Sequence, residues 1–176
     1  MKKEHLEWLE TNQACSQSIE WIEENNIQSL EEAWHTCGRG DWMLWMAKKL
    51  RINKRKLVLC GALCAHTVVE YMQDPRSRNA VRVAFLWGRG KATDAQLKAA
   101  REAATYGGDW ADYAARAAVR SADWTAYAGE AAACAADAAA LAADWAADAR
   151  KANQMRTASI AMELLTEEVM YILSNL

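Results

Sequence analysis

Cys60 and Cys64 lie four residues apart with His66 close behind, which places two thiols and an imidazole on neighbouring turns of a helix. Such groups are zinc ligands, but zinc wants four converging donors, usually with a short Cys-x-x-Cys element. The pair instead sits in an otherwise apolar stretch, so small buried side chains are the better reading and no metal is expected. His5, His35 and His66 accompany no nucleophile elbow, so nothing points to a hydrolytic triad. The run from Gly88 to Thr93 has the look of a phosphate loop. It fails the pattern, because Ala92 separates Lys91 from Thr93 and no strand precedes it. What survives is anion binding near a helix N-terminus by Arg89 and Lys91. With Arg39, Arg51, Arg76 and Arg78 they could clamp the phosphates of a small anionic ligand such as a nucleotide. No catalytic residue and no cofactor is expected.

The strongest pattern is one of recognition. Asp109-Trp110 and Asp123-Trp124 lie 14 residues apart, and Asp144-Trp145 comes 21 residues later, in a tract that is otherwise mostly alanine. Heptad multiples return each tryptophan to nearly the same helix face, so large aromatic knobs sit among very small side chains. The aromatic stripe reads first as a packing seam. The acidic column beside it (Asp109, Asp112, Asp123, Asp137, Asp144 and Asp148), with Trp110 and Trp124 as anchors, reads as a surface for a basic protein partner. Between Glu102 and Asp148 eight acids meet only Arg116 and Arg120, whereas residues 48–56 carry six positive charges and no negative one.

Those side chains need helices to hold them. One proline and eight glycines in 176 residues suit an all-α chain, and no strand pattern appears. Apolar residues recur at helical spacing up to about Asn25. Ser29 and Glu32 form a capping box that opens a short helix, ended by Gly38 and Gly40. Asp41 is expected to cap a helix presenting Trp42, Trp45 and Met46 on one face. Asn53 caps a long apolar helix to about Met72, and Asp74-Pro75 starts another that ends at Trp87 to Gly90. Thr93 and Gln96 form a second capping box, whose helix runs to Gly107-Gly108. The whole is expected to be a single-domain multi-helix bundle. It has short helices across 1–90, an alanine-rich region across 91–152 that is one long helix or a pair broken near Gly129, and a C-terminal helix across 154–174.

The net charge is -2, and the longest apolar run, Leu57 to Val69, is too short to cross a bilayer, so no membrane association is expected. Five cysteines without disulfide-scaffold spacing imply reduced thiols and a cytoplasmic setting. The basic run 48–56 comes with no recognised nucleic-acid motif, so a solvated helix end is the better reading.

Three segments resemble a known family. They run from Ala14 to Trp21; from Ser29 to Trp34 with Cys37 to Trp45; and from Trp87 to Gly90, continuing into the alanine-rich tract. In this order they are similar to the immunity-five-like group of immunity proteins from bacterial polymorphic toxin systems, over roughly residues 10 to 165. The stretch Arg39 to Trp45 is the most specific part. The resemblance implies an all-helical protein without catalysis of its own, which binds one cognate toxin and blocks it; on mobile elements such a binder could inhibit a host defence protein instead. A nucleotide sponge using the basic cluster is the alternative. A self-associating structural protein, paired through the Ala/Trp seam, is a third reading.

Overall fold

The computed structural model describes residues 1–72, 74–104 and 147–175, and every regular element within them is helical. The chain forms α1 (Lys3–Thr11), α2 (Ser16–Glu24), α3 (Leu30–Thr36), α4 (Gly40–Lys49) and α5 (Lys54–His66). A 3-10 turn (Val69–Tyr71) leads to α6 (Pro75–Gly88) and α7 (Asp94–Ala103), and α8 (Ala147–Leu173) is the longest described helix at 27 residues. The all-α expectation holds. The alanine-rich tract across 105–146, with the question of a break near Gly129, lies outside the described residues.

Most helix starts obey the expected side-chain chemistry. Asn53 Oδ1 accepts from the N–H groups of Arg55 and Lys56, Asp74 accepts from Arg76 N–H with Pro75 in the first turn, and Thr93 and Gln96 complete a reciprocal box. Ser29 accepts from Glu32 N–H, but the Glu32 carboxylate reaches past it to the N–H of Gln28 at 2.7 Å. Asp41 does not cap α4. Arg39 is the N-cap and Asp41 lies in the first turn, where its charge favours the helix dipole.

The stops differ more. The segment up to Asn25 forms two short helices, and α5 ends at His66 rather than near Met72. The helix from Asp94 ends at Ala103, short of Gly107, and the last helix is already formed at Ala147, seven residues before the expected start at 154. Four helices stop by one device. After α1, α2, α4 and α6, residues Gln13, Asn26, Arg51 and Gly90 take φ of 62, 53, 59 and 72°. In each case the next N–H reaches back five residues, as from Ile27 to Ile22 O and from Ile52 to Ala47 O. This double closure uses up the orphan carbonyls of the last turn, and Ile27 and Ile52 bury themselves over it.

Two apolar clusters share α5 as a common wall. Leu57, Cys60 and Cys64 face the cluster built with α1–α4 and α8, while Val58 and Ala62 face the one built with α6 and α7. A helix apolar on all sides belongs inside, and α5 packs on α6, α8 and α4. Glycines on neighbouring helices let the packing come close. A Cβ on Gly88 would sit 2.7 Å from Leu59 Cβ, and one on Gly40 would sit 2.6 Å from the Thr157 backbone where α4 meets α8. Among the described residues no helix is long and apolar enough to cross a membrane.

Candidate tryptophan cleft

The turn between α3 and α4 sets the site. Cys37 caps the end of α3, and its buried thiol accepts from Arg39 N–H at 3.4 Å and donates to Arg39 O at 3.5 Å. Burial pushes this thiol up to about 11, with Asp41's charge adding to the rise, against the Arg39 hydrogen bond and charge. It stays protonated near neutrality and is no nucleophile. Arg39 folds over the first turn of α4, its Nε donating to Asp41 Oδ1 at 2.8 Å and its Nη2 pairing with Asp41 Oδ2, while the guanidinium lies 4.6 Å from the Trp42 ring centre.

Trp42 and Trp45 then project from α4 against the first two helices. Trp21 of α2 meets Trp42 edge-on at 6.0 Å, and Trp8 of α1 meets Trp45 at 5.9 Å. These are favourable edge-to-face contacts. Beneath them Trp34 is fully buried, its indole N–H donating to Thr166 Oγ1 of α8 at 2.8 Å. The result is a cleft of about 400 Å³ between α2, α3 and α4, floored by Trp34, Met43 and Met46 and walled by Trp21, Trp42 and Trp45. Gln13, Gln17 and Ser18 give it a polar edge, and the Arg39–Asp41 pair borders it. The sequence places Trp42, Trp45 and Met46 on one helix face, but not the facing tryptophans of α1 and α2.

The six cations expected to clamp an anion are not brought together. Arg39 is held by Asp41. Arg76 forks onto Asp74, whose carboxyl its hydrogen bonds and charge hold below the usual range. Arg78 donates twice to Met72 O, at 2.9 and 2.7 Å. Arg76 and Arg78 start α6 while Arg89 and Lys91 come after its end, about 20 Å away at 1.5 Å per residue. Arg51 sits exposed at the end of α4.

A different basic pole forms instead. The start of α5 meets the end of α6, with Arg55 Nη1 donating to Trp87 O at 2.6 Å, and Arg55 and Lys54 lying 4.4 and 5.8 Å from the Trp87 ring centre. Lys56 pairs with Glu168 at 2.9 Å, and Glu168 also accepts from Asn53 N–H. Burial pushes the Glu168 carboxyl up, but these hydrogen bonds and the Lys56 charge outweigh it and hold it below its usual range.

Cys60 and Cys64 are fully buried, and their mutual hydrogen bond, with burial, raises the Cys60 thiol well above its usual value. Among the described residues no three His, Cys, Asp or Glu side chains converge as metal ligands would. The acidic face expected at Asp109, Trp110, Asp112, Asp123, Trp124, Asp137 and Asp144 lies outside the described residues, as does the side chain of Asp148. Comparison with protein-family models, with curated proteins and with solved structures gives no match.

Proposed function

We propose that the protein is a non-catalytic binder that works in the cytoplasm and neutralises one protein partner by occluding it, as an immunity protein does a toxin or an inhibitor a defence effector. The tryptophan cleft carries this reading. Half-buried tryptophans over a packed floor, ringed by polar side chains, have the composition and layout of a binding hot spot. The groups that border the cleft are engaged in holding its shape: Cys37 is a buried thiol, and Arg39 and Asp41 neutralise each other. The resemblance of Arg39 to Trp45 to the immunity-five-like group supports the same role, since this stretch builds one wall of the cleft.

Co-expression with the product of the adjoining reading frame tests it. The expected result is a stable one-to-one complex and relief of that product's toxicity, both lost in a Trp21→Ala/Trp42→Ala variant that still melts cooperatively. Full relief by the double variant would remove the cleft from the function.

A small anionic ligand is the second reading, favoured by the basic pole where Lys54 and Arg55 flank Trp87. Thermal shift against a nucleotide panel separates the two, because a ligand that binds only the folded state raises the melting temperature by itself.

A further inference from the structure

We propose that the cleft takes a cationic amphipathic segment of the partner protein, lodging one apolar side chain among the tryptophans while its lysines or arginines face the glutamates at the rim. This rests on the occlusion reading above and adds the chemistry of what is bound.

The charge around the cleft decides the sign. Residues 1–32 contain eight glutamates against Lys2 and Lys3, and they form the layer that covers α4 on this side. Glu20 and Glu24 lie three and seven positions after Gln17, on the stripe it shares with Trp21. Glu10 stands at the end of α1, where its carbonyl accepts from the N–H of Gln13; Gln13 and Gln17 line the cleft. All three are exposed. On the opposite wall Arg39 is matched by Asp41, and Lys48 and Lys49 at the end of α4 leave the eight glutamates in the majority. The cations of Lys54 and Arg55 lie elsewhere, at the Trp87 end of α6, and Arg89 lies by Phe85 of the same helix. An acidic segment would therefore meet like charge at the cleft, and a basic one opposite charge.

Arg39 lies over Trp42 and Lys49 lies 5.9 Å from the Trp45 ring centre, so these indole faces hold cations of this chain and leave the ring edges and the apolar floor to the bound side chain. The floor of Trp34, Met43 and Met46 is apolar and suits an aliphatic or aromatic anchor. The helices that border the cleft, α2 and α4, have 9 and 10 residues, about 14 Å, a length that matches two to three turns of a bound helix.

The test uses the whole chain and three fluorescein-labelled amphipathic peptides. These share one leucine and tryptophan stripe and carry lysine, glutamine or glutamate elsewhere. The lysine peptide is expected to bind roughly tenfold tighter than the other two at low salt, and to lose that advantage when salt is raised. In a Glu10→Gln/Glu20→Gln/Glu24→Gln variant, altered only at exposed positions, it should bind no better than the glutamine peptide. The indole N–H resonances of Trp21 and Trp42, assigned by substitution, should shift on binding.

Equal affinity for all three peptides overturns the proposal, as does a lysine preference that survives the triple substitution or a failure of all three to bind. A glutamate preference, or resonance shifts confined to Trp87, would place recognition at the basic pole and overturn it too. In each case the occlusion reading stands if neutralisation by co-expression still requires Trp21 and Trp42; if it does not, that reading falls on its own.

Discussion

Arg51 occupies a conformation that its side chain disfavours. At φ 59° an L-residue crowds its Cβ against the adjoining carbonyl, at roughly 1 kcal/mol, and glycine does not. The conformation persists because it lets Ile52 N–H close on Ala47 O while Ile52 buries itself. Arg51→Gly is therefore expected to stabilise the fold by about 1 kcal/mol, less the extra chain entropy of glycine in the unfolded state, read as a higher urea midpoint. A second residue-scale prediction concerns Glu168. Its folded carboxyl titrates below its ordinary 4.5, so the stability it contributes is complete above pH 4.5 and is lost as pH falls through the lower folded value. Wild type should melt above Glu168→Gln at pH 6, and the gap should close under strongly acidic conditions.

At the scale of elements, glycines set how closely helices cross. Gly40 allows α4 to lie on the Thr157 backbone, and Gly88 allows the end of α6 to lie on Leu59. A methyl group at Gly40 meets backbone, which cannot swing aside, so Gly40→Ala is expected to cost on the order of 1–3 kcal/mol in chemical denaturation. Gly38→Ala, with nothing nearer than Met155 at 3.9 Å, should cost far less. The same elements show how much could be read from the sequence. Asn53, Asp74, Thr93 and Gln96 announce helix starts because a cap is a bond between near neighbours along the chain. Gln13 and Arg51 gave no sign of ending helices, since the conformation they adopt is fixed by closure of the next residue onto the last turn, with Ile52 buried in the process. Trp42, Trp45 and Met46 could be placed on one face by spacing alone. That Trp21 and Trp8 would face them depends on how two short turns return the chain, which no local pattern encodes.

For the whole molecule, α5 joins both apolar clusters, so its interior thiols report on the cohesion of the fold. Cys60 and Cys64 are inaccessible and Cys37 is nearly so, whereas Cys15 is exposed. In native protein carrying Cys134→Ser, a thiol reagent should modify Cys15 rapidly. Cys60 and Cys64 should react only as fast as the fold opens, and mass mapping of the labelled positions checks this. Early labelling of Cys60 would show that the two clusters part without global unfolding.

The bond from Trp34 to Thr166 spans 132 positions, and α8 supplies the surface on which α3 and α4 rest. A ribosome adding roughly 5–20 residues per second needs on the order of ten seconds to travel that distance. Throughout that interval the emerging N-terminal half has its fully buried indole, Trp34, without the helix that should cover it. Nascent chains of this protein are therefore expected to need holding factors until α8 has emerged, and stalling before α8 is made should leave them prone to aggregation and degradation.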